Sequence, residues 1–205
     1  MGKNGKKLTS HCPEDGETQH KRHIMKIWKL WTEANDYENL MTVKPFSFEE
    51  SHSFDGRSKI TNWQPLALKA MYGNRKYGDI ADFTAGIPVV SPKVVEVTKE
   101  LIQDQVEVLP TICSDCELYI LNITNIVDAV DYTKAQVTYY SSTKRVMAFD
   151  KLAFVEEKVR GNHIFKLVEK KLTSVYVSDE FRQRILDNNL TGFKFELVWD
   201  SEAED

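Results

Sequence analysis

Two cysteines three positions apart are the first candidates for chemistry in this chain. Cys113 and Cys116 have the spacing of half a zinc site or of a redox-active dithiol. A structural zinc site needs four ligands, and residues 25–205 hold neither a second cysteine pair nor two neighbouring histidines. A dithiol of the thioredoxin type opens a helix, whereas this pair precedes a strand-like stretch at 117–126. The pattern therefore predicts two thiols at the edge of a loop, with no metal and no cofactor.

The histidines of the same region offer little more. His52 and His163 are the two histidines of residues 25–205, and both stand in polar or turn-like surroundings. Neither accompanies a Gly-x-Ser-x-Gly nucleophile motif, and the sequence has no glycine-rich phosphate-binding loop. We therefore expect no catalytic residue and no enzymatic activity. One enzymatic alternative stays open, a small cytosolic thiol hydrolase in which Cys113 or Cys116 works with His163.

A pair of carboxylates is a further possible centre. Asp128 and Asp131 could share acid–base work, but three positions apart at the end of a predicted strand they are more typical of a turn. Four other potential metal ligands stand in the first 24 residues, and we expect them to be incidental: His11, Cys12, His20 and His23.

The elements that would position any site are clearest near the C-terminus. Residues 175–199 predict a strand, a capped helix, a glycine turn and a second strand. Ser178 stands at the N-cap, where its hydroxyl can accept an otherwise unpaired backbone N–H. Phe181, Ile185 and Leu186 are predicted to form one apolar stripe of the helix, and Gly192 permits the turn into the next strand.

A similar unit occurs 87 residues earlier. Ser91 and Pro92 predict a helix start, because proline is tolerated in the first turn, and residues 106–108 alternate as a strand after the helix. The chain therefore contains two similar strand–helix–strand units. An ancient duplication would explain them, but the arrangement is a common one, and convergence is the interpretation that we favour.

The remaining pattern completes an α+β fold with a mixed or antiparallel sheet and capped helices. We expect a strand at 26–31, a helix near 64–73, and strands at 117–126 and 135–140. The last two strands could pair around a turn at 131–134.

Charge and composition exclude two classes of partner. The chain has 27 basic and 31 acidic side chains, and the first 24 residues hold five and three of these, which leaves a net charge of −6 on residues 25–205. Nucleic-acid affinity comes largely from Lys and Arg that neutralise phosphates, so this balance argues against nucleic acid. The sequence contains no run of about 18 apolar residues, so it predicts no membrane span. Three cysteines without an export signal are typical of the reducing cytoplasm.

The apolar pattern also sets the domain boundaries. Residues 1–24 show no periodic pattern of apolar residues, which predicts a disordered or non-native tail. A start codon assigned too early would explain such a tail, and so would a cloning or gene-overlap remnant. We expect residues 25–205 to form one domain, with two tightly fused subdomains of about 25–110 and 111–205 as the alternative.

A series of short motifs links these elements to a known family. In chain order, the motif residues are 25–30 (Met-Lys-Ile-Trp-Lys-Leu), 54–56 (Phe-Asp-Gly) with Trp63, 78–79 (Gly-Asp), 86–91 (Gly-Ile-Pro-Val-Val-Ser), 119–122 (Tyr-Ile-Leu-Asn) with 128–131 (Asp-Ala-Val-Asp), 164–167 (Ile-Phe-Lys-Leu) and 175–199. Together they resemble a family of immunity proteins of bacterial polymorphic toxin systems, of the myxobacterial type. The resemblance covers about residues 25–200.

The resemblance implies a binding protein that neutralises the toxin domain encoded by a neighbouring gene, in the cytoplasm of the producing cell. The acidic balance favours a basic toxin domain as partner and leaves the oligomeric state open. We selected candidate partner-binding residues for their charge or aromaticity near loops: Asp55, Trp63, Asp79, Asp82, Trp199, Asp200 and Glu202.

Overall fold

The computed structural model of the chain describes Met1 and residues 24–203, so the predicted tail lies almost entirely outside the described residues. The helices are α1 (Phe48–His52), α2 (Pro92–Ile102), α3 (Glu156–Val159) and α4 (Asp179–Asp187). The strands are β1 (Lys26–Thr32), β2 (Leu40–Thr42), β3 (Ala67–Ala70), β4 (Ile80–Thr84), β5 (Ile87–Val90), β6 (Val106–Pro110), β7 (Ile112–Cys113), β8 (Tyr119–Ile123), β9 (Ile126–Val127), β10 (Gln136–Tyr139), β11 (Val146–Lys151), β12 (Ile164–Leu167), β13 (Tyr176–Ser178) and β14 (Phe193–Asp200). The predicted α+β class is confirmed.

Two larger sheets carry most of the fold. One has five strands in the order β14-β1-β13-β12-β9, and the other has four in the order β4-β5-β8-β6. A three-stranded sheet, β2-β3-β7, and the β10–β11 hairpin lie beside them. Most neighbours are antiparallel, while β9 pairs parallel with β12 and β7 pairs parallel with β3. The five-stranded and three-stranded sheets are thus mixed and the other two are antiparallel, and the prediction named both kinds of sheet.

The two predicted strand–helix–strand units are present, with the same topology. Helix α2 connects β5 to β6, and these strands flank β8, antiparallel to both. Helix α4 connects β13 to β14, which flank β1 in the same way. The middle strand of the first unit, β8, comes from the C-terminal half of the chain, and the middle strand of the second unit, β1, comes from the N-terminal half. A cut near residue 110 would therefore leave each half without a complete sheet.

Local capping fixes where the two helices begin. The Ser178 hydroxyl accepts a hydrogen bond from the backbone N–H of Phe181 at 3.1 Å, as the N-cap pattern predicts. At the start of α2, Ser91 occupies the N-cap position, but its hydroxyl donates to the Asp79 carboxylate at 2.9 Å instead. Pro92 in the first turn needs no hydrogen-bond donor there.

The core has three parts because both large sheets bury both faces. Strand alternation separates them: Val175 and Val177 face α2 and α4 between the two sheets, whereas Tyr176 faces the opposite side. That opposite side holds an aromatic group in which Phe154 contacts Phe165, Tyr176 and Trp199 edge-on. The third part covers the outer face of the four-stranded sheet.

Two expectations about secondary structure were wrong. The stretch near 64–73 contains strand β3 rather than a helix, because pairing with β2 and β7 overrides the helix preference of its Ala and Leu residues. Strand β8 pairs with β5 and β6, and β10 pairs with β11 across residues 140–145. The two strands expected to form one hairpin therefore belong to different sheets.

Candidate partner-binding surfaces

Asp79 connects two segments of the fold that are far apart in the sequence. One of its carboxylate oxygens accepts a hydrogen bond from the Ser91 hydroxyl at 2.9 Å. The other accepts from the backbone N–H and the hydroxyl of Thr191 at 2.9 and 3.0 Å. Asp79 thus joins the start of α2 to the turn that precedes β14. With these partners the carboxylate holds two segments of the fold together.

Asp55 is part of a charged cluster beside β12. Its carboxylate accepts from the Arg57 side chain at 2.9 Å and lies 3.7 Å from the Lys171 ammonium. Partial burial alone would raise the pKa of Asp55, but the hydrogen bonds from Arg57 and the charges of Arg57 and Lys171 together lower it. The carboxylate is therefore held ionised by cations of the same molecule.

Lys166 is the buried member of this neighbourhood. Its side chain is 1% exposed, and its ammonium donates to the backbone carbonyl of Phe54 at 2.8 Å. Burial lowers the pKa of Lys166 to about 8, and the nearby Asp55 carboxylate opposes that shift. Lys166 thus anchors the Phe54-Asp55-Gly56 segment to β12.

Both tryptophans proposed for partner binding contribute to the core. Trp63 donates its indole N–H to the carbonyl of Pro110 at 2.8 Å and packs edge-on against Phe54. Trp199 is 5% exposed and packs against Phe154 with ring centroids 5.6 Å apart. Trp199 is thus buried in the core, while Trp63 is partly buried at the edge of the third core group, because large aromatic rings gain free energy from burial.

Asp82 is exposed in β4. It accepts from the Thr32 hydroxyl at 2.8 Å and lines a cleft of about 300 Å³ between β1 and the β4–β5 hairpin. Trp31, which the sequence reasoning did not select, lines the same cleft and is 44% exposed. Its indole N–H donates to Glu196 at 2.9 Å.

The region after β14 forms a larger surface, which we call the acidic cleft. The cleft has a volume of about 650 Å³. Its floor includes Phe154 and Trp199, and its walls carry one cation, Lys134, and four carboxylates: Asp131, Glu156, Glu157 and Glu202. Of these, only Glu202 was selected from the sequence, because Asp131 and the adjacent pair Glu156 and Glu157 come from two other segments that only the fold brings together.

The carboxylates of the acidic cleft differ in availability. Glu156 pairs with Arg160 at 2.6 Å. The hydroxyl and backbone N–H of Thr133 donate to Asp131, and these bonds lower the pKa of Asp131. Glu157 and Glu202 are exposed, and their side chains have no hydrogen-bond or ion-pair partner within residues 24–203. These two are the carboxylates most accessible to a basic partner.

Asp200 lies beside this cleft but belongs to the sheet. It is the last residue of β14, pairs with Lys26 of β1 at 3.2 Å and accepts the backbone N–H of Glu202 at 3.0 Å. The strand predicted to end at residue 199 thus extends one residue further, since pairing with β1 reaches Asp200.

The structure does not bring together the residues of the thiol-hydrolase alternative. Cys113 and Cys116 lie 3.7 Å apart, sulfur to sulfur, in a shallow cleft formed by residues 111–117. Burial, together with the hydrogen bond and charge of Cys113, raises the pKa of Cys116 to about 12, which disfavours a nucleophilic thiolate. His163 lines a different cleft, with Ser178 and Glu180.

His163, Ser178 and Glu180 have the composition of a catalytic triad but a different geometry. Nδ1 of His163 is the atom that approaches both the Ser178 hydroxyl, at 3.0 Å, and the Glu180 carboxylate, at 3.2 Å. A triad needs the serine and the carboxylate on opposite ring nitrogens. Ser178 also caps α4, so the cluster serves the helix start.

These features describe an α+β protein in which many motif residues stabilise the fold and one of the clefts is lined by four carboxylates. The chain belongs to the immunity protein family Imm11, whose family model matches residues 75–200. This confirms the resemblance to immunity proteins and supports a general role in immunity. No curated protein matches the chain. Among the described residues, no helix has the length and apolar character to cross a membrane.

Proposed function

We propose that this protein is the immunity partner of a toxin domain encoded by a neighbouring gene, which it binds and neutralises in the cytoplasm of the producing cell. Membership in the immunity protein family Imm11 is the observation that carries the proposal. Neutralisation requires no catalytic group, only a preformed surface that covers the toxin. A stable complex of this kind buries about 1,600 Å² in total.

The acidic cleft is the surface that best fits a basic region of such a toxin. Glu157 and Glu202 are exposed there and lack internal partners within residues 24–203, so they are available to attract Lys and Arg side chains. Charges of this kind act mainly on the rate of encounter, because they attract the partner before contact is made. Asp82, in its own cleft, is a second candidate contact.

Growth of cells that express the neighbouring toxin domain tests the proposal. Co-expression of this chain should restore growth, and the double variant Cys113→Ser/Cys116→Ser should restore it equally, because the mechanism uses no thiol. Loss of protection in a well-folded double variant would favour the thiol-hydrolase alternative. Toxin-expressing cells that stay arrested in the presence of wild-type protein would contradict the proposal.

Charge reversal tests the part played by the acidic cleft. Glu157→Lys/Glu202→Lys should slow association with the toxin domain by about tenfold at low salt, with a smaller effect on dissociation. The control Glu96→Lys/Glu100→Lys makes the same charge change on the exposed face of α2, and we expect it to slow association less than about twofold. Stopped-flow or surface-binding kinetics at two salt concentrations would measure both. Equal slowing by the two variants would show that net charge, not the cleft, governs encounter.

A further inference from the structure

A second groove, of opposite charge, borders the acidic cleft. It has a volume of about 770 Å³ and lies between the β10–β11 hairpin and residues 168–173. We call it the basic groove, because Lys144, Arg145, Lys170 and Lys171 line it against a single carboxylate, Glu169.

Two of these cations are available to a ligand. Lys144 and Arg145 are exposed at the hairpin tip, and within residues 24–203 their side chains have no hydrogen-bond or ion-pair partner. By contrast, Lys170 donates to the backbone carbonyl of Met147 at 2.6 Å, which ties residues 168–173 to β11. Lys171 lies near Asp55. The groove thus combines fixed walls with two free positive charges at one end.

Tyrosines supply the rest of the surface. Tyr132, Tyr139 and Tyr140 line the groove and are 49%, 50% and 51% exposed. The hydroxyl of Tyr132 donates to Glu169, which holds that ring in place. Tyrosine and arginine, with tryptophan, are the residue types enriched among side chains that dominate binding energy in protein interfaces. An exposed cluster of both therefore favours a protein as the occupant.

The two surfaces share one ridge. Asp131 lines the acidic cleft and Tyr132, the next residue, lines the basic groove. The ridge is anchored, since the backbone N–H of Asp131 donates to the carbonyl of Ala153 at 2.9 Å. Consecutive Cα atoms are about 3.8 Å apart, so the acidic cleft and the basic groove meet along this ridge.

We propose that the basic groove docks an acidic segment of the toxin domain while the acidic cleft receives a basic region of the same domain. The inference rests on the proposed function and deepens it: the partner would carry neighbouring patches of opposite sign. Such an arrangement fixes the orientation of the complex, because a reversed partner would place like charges together. A nucleic acid fits less well, because its phosphates would meet Asp131, Glu157 and Glu202 across the ridge.

Three variants test the groove with the purified toxin domain. Arg145→Glu should slow association by about fivefold or more at low salt, and Tyr140→Ala should speed dissociation by about tenfold. The control Lys99→Glu makes the same charge change as Arg145→Glu on exposed α2, and we expect less than a twofold effect. Circular dichroism and melting curves would confirm that each variant is folded.

The outcomes separate this inference from the proposed function. If wild-type protein binds the toxin domain and both groove variants bind it equally well, the groove inference is overturned and the immunity role stands. If wild-type protein does not bind the toxin domain, both fail. Binding of a labelled single-stranded oligonucleotide, abolished by Arg145→Glu, would identify nucleic acid as the occupant instead. Self-association abolished by Arg145→Glu would identify a second copy of this chain, and either result would overturn the inference.

An independent probe needs no toxin. A glutamate-rich peptide titrated into isotope-labelled protein should shift the backbone amide signals of residues 139–146 and 168–173, and a lysine-rich peptide should shift those of residues 131, 157 and 202. Shifts by the acidic peptide that do not cluster at the basic groove would count against the inference.

Discussion

Replacing Gly192 by alanine is expected to lower the free energy of unfolding by more than about 3 kcal/mol. Gly192 has a φ of +83°, and a Cβ there would lie 2.6 Å from the carbonyl oxygen of Ile80 and 3.5 Å from the Cα of Gly78. The residue follows Thr191, so a shift would also disturb the hydrogen bonds of Asp79. The backbone strain and the steric clash therefore both destabilise the contact between the two strand–helix–strand units.

Gly161 provides a matched control for this prediction. It has a similar φ of +78°, but a Cβ there would meet no atom within 4 Å. Gly161→Ala should therefore cost only the conformational strain, about 1–2 kcal/mol. Urea unfolding of both variants would measure the difference. Equal losses would show that the close approach at Gly192 is not what destabilises its alanine variant.

The second large effect concerns pH and Lys166. The folded-state pKa of about 8 lies below the ordinary value of 10.5, so between these pH values the unfolded chain binds more protons than the folded one. Stability of the wild type therefore rises as pH increases through this window, relative to a variant without the ammonium. The cost of keeping the buried ammonium charged, fully present below about pH 8, is roughly 3 kcal/mol.

Lys166→Met removes this titration at similar side-chain length. From pH 8 to pH 10, the free energy of unfolding of the wild type should rise steadily relative to that of Lys166→Met. Tyrosine titration contributes equally to both proteins and cancels in this difference. Urea unfolding at several pH values would measure it, with Lys99→Met as the control, which removes an exposed ammonium instead of a buried one. Parallel stability curves for wild type and Lys166→Met would contradict the burial argument.

Local signals in the sequence predicted the features that depend on neighbouring residues. The Ser178 cap, the turn at Gly192 and the start of α2 all follow from the preferences of a few adjacent positions. Long-range pairing could not be predicted in the same way. One partner of Asp79, Thr191, lies 112 residues away, and nothing near Asp79 in the sequence identifies it.

The same limit applies to the candidate binding surfaces. Charge and aromaticity alone selected Trp199 and Asp79, which the fold uses internally. The exposed carboxylate Glu157 escaped selection because its neighbours in the acidic cleft come from distant segments. Whether a charged side chain serves the fold or faces a partner depends on contacts that only the tertiary structure supplies.

The most direct test of the central claim is calorimetric titration of the purified protein with the toxin domain of the neighbouring gene. We predict saturable binding with a dissociation constant of about 1 nM or lower, which corresponds to about −12 kcal/mol. Inhibition of the toxic activity should follow the same saturation curve. A folded toxin domain that gives no binding heat and stays fully active at excess immunity protein would contradict the account.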